Sequence, residues 1–84
     1  MTVTDLRMLR REFAISQGAL SREAGCTQGH LSRIESGDTE PSDDMLRRLE
    51  AALHRIVARQ RDAKLRDRFG SAVMDRIYAA VTEP

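Results

Sequence analysis

Several residue types are scarce or absent in this chain, and each scarcity excludes a class of protein. A single cysteine, Cys26, leaves no partner for an internal disulfide. One cysteine and two histidines are also too few for a zinc site, so no metal or other cofactor is expected. Tryptophan is absent, and two phenylalanines and one tyrosine are too few for an aromatic platform that stacks single-stranded nucleic acid.

Long apolar runs and a strong charge of one sign are missing as well. No stretch approaches the roughly 20 apolar residues of a membrane span, and the N-terminus lacks the apolar segment of a signal peptide, so a cytoplasmic protein is predicted. Fourteen basic residues nearly balance thirteen acidic ones, which gives no overall bias towards nucleic acid. No paired carboxylates, nucleophile with a base, or phosphate-binding loop is evident, so an enzyme is not expected.

The balanced total hides an uneven distribution of charge. Residues 1–40 contain five arginines and six acidic residues, whereas residues 54–68 contain six basic residues and two acidic ones. With 84 residues, the chain forms one small domain at most, and a domain of this size is only marginally stable alone. Dimerisation is a common remedy for such a domain.

Apolar residues recur at helical spacing, which predicts an all-α fold. Helices are expected over residues 4–13, 17–24, 28–36, 43–66 and 71–81. Four residues are predicted N-caps, because their side-chain oxygens can accept a hydrogen bond from a backbone N–H of the first helical turn: Thr2, Ser16, Thr27 and Ser42. The helices that precede Gly25, Gly37 and Gly70 are predicted to end there. Ala14 follows the first helix at a position where a left-handed turn would favour glycine.

The packed side of these helices is also predicted from spacing. On the first helix the expected buried stripe is Leu6, Leu9 and Phe13. Small or apolar residues lie where the second and third helices should touch: Leu20, Ser21, Ala24, Cys26, Leu31 and Ile34. A coiled-coil-like seam continues along the fourth helix through Leu46, Leu49, Leu53 and Ile56. Two short helices joined by a tight turn at Gly25 have the layout of a helix-turn-helix, whose second helix enters the major groove of DNA.

The pattern resembles the Cro/phage-repressor family of helix-turn-helix proteins, also called XRE. The residues that carry the resemblance are Leu6-x-x-Leu9, Ile15-Ser16-Gln17, Leu20, Ala24-Gly25, Leu31-Ser32-Arg33-Ile34-Glu35-x-Gly37, Pro41-Ser42 and Leu46-x-x-Leu49-x-x-x-Leu53. The resemblance implies a five- to six-helix, lambda-repressor-like DNA-binding domain with an extended C-terminal helical region. Ala14 and Gly18 stand where the family usually has glycine and glutamate, and His54 continues a helix where the family usually turns at a glycine.

The expected function is sequence-specific binding of double-stranded DNA by a transcriptional regulator, most simply a repressor. Gln28, first in the third helix, suits the major-groove edge of adenine, and Arg33 suits either guanine or a phosphate. Arg33 could instead pair with an acid such as Glu35. The family resemblance places Gln17 beside Gln28, on a phosphate. The full set of candidate DNA-binding residues is Gln17, Thr27, Gln28, Gly29, His30, Ser32, Arg33, Ser36 and Thr39.

Three of these candidates have a second interpretation. Thr27 is also a simple cap, His30 either touches phosphate or is merely exposed, and Gly29 would act by allowing close approach to the groove. On the first helix, Arg7, Arg10 and Arg11 either contact the DNA backbone or form a solvated face.

The chain divides into a helix-turn-helix domain over residues 1–56 and a C-terminal helical extension over residues 57–84. The extension has more apolar residues than the core should need, which favours an isologous homodimer on a palindromic operator. The candidate dimerisation residues are Leu53, Val57, Phe69, Val73, Ile77 and Tyr78. Alternatively, the last helix completes the monomer's own core.

Two other functions stay open: an antitoxin whose tail binds a toxin, and a protein-interaction adaptor that does not bind DNA.

Overall fold

A computed structural model describes residues 1–82, and the described chain is helical throughout apart from its turns. Five helices follow one another, and the predicted all-α class is confirmed. Their bounds are α1 Val3–Glu12, α2 Gln17–Ala24, α3 Gln28–Ser36, α4 Asp43–Phe69 and α5 Ser71–Thr82. None of the helices in this part of the chain is long and apolar enough to cross a membrane.

The helix starts follow the predicted caps. Thr2 Oγ1 accepts from the Asp5 N–H at 3.1 Å while Asp5 Oδ2 accepts from the Thr2 N–H at 3.1 Å, which is a complete capping box. Ser16, Thr27 and Ser42 each accept from the backbone N–H three residues later. Each cap satisfies a donor that the helix itself leaves unpaired.

Left-handed residues end the shorter helices. Gly25 and Gly37 have φ angles of 76° and 88°, where a residue without Cβ is favoured. Ala14 adopts φ 54°, so the turn after α1 is left-handed as anticipated, and here a residue with Cβ carries the strain.

The core lies between α1, α2, α3 and the first half of α4. Its buried members are Leu6, Ile15, Leu20, Ala24, Leu31, Ile34, Leu49, Ala52 and Leu53. Cys26 is half-buried and packs against this cluster, as the sequence predicts. Leu53 is 4% exposed, so most of its side chain is used by its own domain, and its assignment to a dimer surface stays a prediction.

The predicted stripe on α1 is only partly correct. Leu6 is fully buried, but Leu9 and Phe13 keep 37% and 39% of their surface exposed. The reason is the course of α4, which continues past His54 to Phe69 instead of turning back over α1. The expected domain boundary at residues 56 and 57 therefore falls inside a continuous helix.

The C-terminal part is a helical hairpin, which we define as residues 58–82. Gly70, with φ 85°, separates α4 from α5, and α5 packs back along α4. Met74 is 3% exposed, while Phe69, Ile77 and Tyr78 are 51%, 48% and 36% exposed. The radius of gyration, 15.6 Å, exceeds the roughly 12 Å expected of a compact domain of this length. The molecule is therefore elongated.

Candidate nucleic-acid interface

The third helix has one buried side and one exposed side. Leu31 and Ile34 are 0% and 1% exposed, and they fix α3 against the core. On the opposite side lie the residues that we call the recognition face, all of them exposed: Gln28, Gly29, Ser32, Arg33 and Ser36. The structure thus places five of the candidate DNA-binding residues on one continuous surface.

The remaining candidates flank this surface. Thr27 is exposed at the start of α3, where its Oγ1 accepts from the His30 N–H at 3.1 Å. His30 is half-buried. Thr39, also half-buried, donates its N–H to the carbonyl oxygen of Arg33 at 3.1 Å and closes the turn after α3. Thr27 therefore caps α3, which is one of the two roles that the sequence analysis gave it.

Two glycines, Gly18 on α2 and Gly29 on α3, leave space that longer neighbouring side chains occupy. A Cβ on Gly29 would lie 3.5 Å from Arg33 Nη1, so the guanidinium folds back over the first turn of α3. A Cβ on Gly18 would lie 3.5 Å from Gln28 Oε1 and 3.4 Å from Arg22 Nη1. The amide of Gln28 and the guanidinium of Arg22 therefore meet above Gly18, where α2 offers no side chain.

Arg22 is a further candidate that the sequence analysis did not name. It is exposed, and its guanidinium and the Gln28 amide both lie over Gly18. The signal that could have found it is its position four residues after Gly18, one helical turn along the same side of α2.

A buried ion pair holds α1 against α3 behind the recognition face. Arg10 Nε and Nη2 donate to the two carboxylate oxygens of Glu35 at 2.8 and 2.7 Å, and Arg10 Nη1 donates to the Ile15 carbonyl at 2.8 Å. The two side chains are 11% and 3% exposed. Burial of Glu35 opposes its ionisation, but the hydrogen bonds from Arg10 and Gln17 outweigh that effect and hold the pKa of its carboxyl below the ordinary value.

This network corrects two expectations. Arg10 is committed to Glu35 and is not a free cation for the DNA backbone. Glu35 consequently pairs with Arg10, not with Arg33, and within residues 1–82 Arg33 has no ion-pair partner. Gln17 joins the same network, since its Nε2 donates to Glu35 Oε1 at 3.0 Å.

Two other arginines of α1 remain available. Arg7 and Arg11 are exposed, and among the described residues neither has an ion-pair partner. They line a cleft of about 180 Å³ together with Gln17, Ser32 and Ser36. Because Arg10 neutralises the only acid in the cleft lining, Glu35, this cleft is electropositive.

The turn between α2 and α3 is held by a residue far away in sequence. Arg48 Nη2, on α4, donates to the carbonyl oxygens of Ala24 at 2.8 Å and Gly25 at 3.1 Å. These are carbonyls that the end of α2 leaves unpaired. Arg48 was also missed, and no local pattern could have found it, since it lies 23 residues from Gly25.

Comparison with known proteins agrees with this geometry. A family model described as helix-turn-helix matches residues 6–55, which is more than half of the chain. The chain therefore belongs to the helix-turn-helix family of the Cro/phage-repressor type, a family of DNA-binding regulators, and the predicted resemblance is confirmed. Searches among curated proteins and among solved structures found no match.

Proposed function

We propose that this chain is a transcriptional repressor that binds a palindromic operator in double-stranded DNA as a homodimer. The observation that carries the proposal is the recognition face: α3 buries its apolar side completely and presents amide, hydroxyl and guanidinium groups outward. Family membership supports the DNA-binding part of the proposal.

Base reading is assigned to Gln28 and Arg33. The amide of Gln28 both donates and accepts, which matches N6 and N7 of adenine. The guanidinium of Arg33 presents parallel N–H groups that match O6 and N7 of guanine, and no acid of residues 1–82 competes for it. Arg22, beside Gln28, extends this reading surface onto α2.

Positioning on the DNA backbone is assigned to the remaining candidates. Gln17, Thr27, His30 and Thr39 flank the recognition face and Ser36 lies at its C-terminal end, where phosphates would flank a helix in the groove. Ser32 lies between the two groups and contacts either a base or a phosphate, while Gly29 allows close approach. We add Arg7 and Arg11, whose electropositive cleft borders Ser32 and Ser36.

The homodimer is assigned to the hairpin together with Val57, which precedes it on α4. Phe69, Ile77 and Tyr78 are exposed in the hairpin, and Val73 is half-buried there. Val57, also half-buried, lies beside Leu9 and Phe13. A single helix-turn-helix reads few base pairs, whereas a two-fold pair reads two half-sites about 34 Å apart.

Selection of bound sequences from random duplex DNA tests the proposal. The wild-type protein should yield a palindromic motif at moderate salt. Gln28→Ala and Arg33→Ala should each relax one position per half-site, at a cost of about 1–3 kcal/mol for that base pair. Arg33→Lys is the matched control, because lysine keeps the charge and loses the two-pronged donor geometry. If no motif emerges from the wild-type protein, the proposal is overturned.

A further inference from the structure

The large apolar side chains that stay exposed in residues 1–82 fall on two surfaces. One is the hairpin, with Phe69, Ile77 and Tyr78. The other we call the α1–α4 groove, lined by Met1, Met8, Leu9, Phe13 and Val57. Met1 and Met8 are 54% and 63% exposed, and neither surface overlaps the recognition face.

The α1–α4 groove is open because the helix that could cover it leads elsewhere. Its wider part, about 460 Å³, lies over the exposed face of α1 and is lined by Met1 and α1 residues without any from α4. About 180 Å³ more lies at the end bounded by Phe13 and Val57. Beyond His54, α4 passes Phe13, whose carbonyl oxygen accepts from Gln60 Nε2 at 3.2 Å, but it leaves Met8 and Leu9 exposed on α1, and α5 packs back along α4. The chain thus has an apolar helical hairpin and an apolar groove that it does not bring together.

The charges of the two surfaces are opposite. The side chains that line the groove include three carboxylates, Asp5, Glu12 and Glu50, together with His54 and no lysine or arginine. The N-terminal ammonium of Met1 lies 3.7 Å from Glu50 and offsets one of the three charges, so the groove keeps a negative excess. The hairpin, residues 58–82, has six basic residues against three acidic ones. Arg68 lies 5.3 Å from the centre of the Phe69 ring, so basic and apolar groups are adjacent near the tip of the hairpin.

From this complementarity we infer that the hairpin of a second copy docks in the α1–α4 groove. The contact is reciprocal, so each copy gives its hairpin and receives its partner's, and the two-fold dimer contains two identical contacts. The exposed apolar residues of both surfaces become covered, and the acidic rim faces the basic hairpin. This inference rests on the homodimer of the proposed function and specifies the surface that the hairpin meets.

Two single variants probe the two halves of the contact. Met8→Asp places a carboxylate in the groove, and Ile77→Asp places one on the hairpin; both positions are exposed, so the fold of one chain should tolerate them. Each variant should raise the dimer dissociation constant at least tenfold, measured by light scattering after gel filtration over a range of concentrations. Ala51→Asp is the control, because Ala51 is exposed on α4 and lines neither surface.

Mixing the two variants separates reciprocal docking from pairing of two hairpins. In a mixed dimer, the intact groove of the Ile77→Asp chain meets the intact hairpin of the Met8→Asp chain, so one of the two contacts is restored. Equimolar mixing should therefore return mass towards the dimer, which neither variant reaches alone. Circular dichroism of each variant should match the wild type, which separates loss of association from loss of folding.

Three outcomes would overturn the inference. If Ile77→Asp dissociates the dimer while Met8→Asp does not, the hairpins pair with each other, and the proposed homodimer stands without the groove. If the wild type is a monomer whose stability falls with Met8→Asp, the groove is covered within one chain. If the wild type is a monomer that still selects a DNA motif, both the homodimer and the docking fail while DNA binding stands.

Discussion

Gly25 is the residue on which the geometry of the recognition face depends most directly. Its φ of 76° turns the chain from α2 into α3, and a Cβ there would lie 2.8 Å from Arg48 Nη2. That guanidinium donates to the Ala24 and Gly25 carbonyls, so the space beside Gly25 is occupied by the group that holds the turn. Gly37 has a similar φ of 88°, but a Cβ there would meet no atom of the described chain within 4 Å beyond its immediate neighbours.

The two glycines form a matched pair of substitutions. Gly37→Ala should lower the free energy of unfolding by about 1 kcal/mol. An L-residue in the left-handed region costs the folded state about 1–2 kcal/mol, and the lower conformational entropy of the unfolded chain offsets part of that cost. Gly25→Ala should cost about 1–2 kcal/mol more, since it also displaces a charged hydrogen-bond donor. Urea unfolding of both variants, alone and with Arg48→Ala, measures the difference. Equal losses with Arg48 present would contradict the assigned role of Arg48.

At the scale of elements, ion pairs connect helices that are distant in sequence. Glu23 on α2 accepts from Arg55 at 2.9 Å and from Arg59 at 2.9 and 3.1 Å, both on α4. The hydrogen bonds from Arg59 and then Arg55 lower the pKa of the Glu23 carboxyl to about 2. This cluster ties α2 to the middle of α4, next to the point where α4 leaves the core.

The lowered pKa of Glu23 predicts a pH dependence of folding stability. A carboxyl whose folded pKa lies below its unfolded value stabilises the protein above the unfolded pKa and loses that contribution as pH falls. Wild type should therefore be more stable than Glu23→Gln at pH 7, and the difference should shrink between about pH 4.5 and pH 2. Urea unfolding across this range measures it, with Glu40→Gln as a control on an exposed acid outside both proposed surfaces. A difference that is constant with pH would refute the assignment.

The helices were predictable from sequence, and several contacts between them were not. Caps and left-handed glycines act within a few residues, so Thr2, Ser16 and Thr27 located the helix starts correctly. The exposure of Leu9 and Phe13 was missed because it depends on where the end of α4 goes, which spacing on α1 cannot reveal. The pair between Arg10 and Glu35 was missed for a similar reason: 25 residues separate its partners.

At the scale of the whole molecule, the placement of charge sets how DNA affinity responds to salt. Half of the chain, residues 1–40, has nearly balanced charge, and two of its arginines, Arg7 and Arg11, lie in the electropositive cleft beside α3. Each phosphate that a cation neutralises contributes about 0.9 to the slope of log affinity against log salt concentration. The slope of log affinity against log salt concentration therefore reports the number of phosphate contacts, independently of the contacts to bases.

Arg7→Ala and Arg11→Ala should each reduce that slope by about 0.9, with the selected DNA motif unchanged. The reason is that a phosphate contact contributes affinity without reporting sequence. Fluorescence anisotropy of a labelled operator between 50 and 300 mM salt measures the slope. An unchanged slope, or a changed motif, would show that the cleft does not receive the DNA backbone.

The unbroken course of α4 carries the hairpin rigidly away from the core. The 27 residues of α4 span about 40 Å, and the point where Arg55 and Arg59 bind Glu23 lies near the middle of the helix. A tilt of about 10° about that point would move the Phe69 end, about 20 Å away, by about 3 Å, which is close to the roughly 3.4 Å between successive phosphates of one DNA strand. In the proposed homodimer, the contacts that hold the tip of the hairpin therefore help to set the half-site spacing that the two domains can span, although the tip is far from the recognition face.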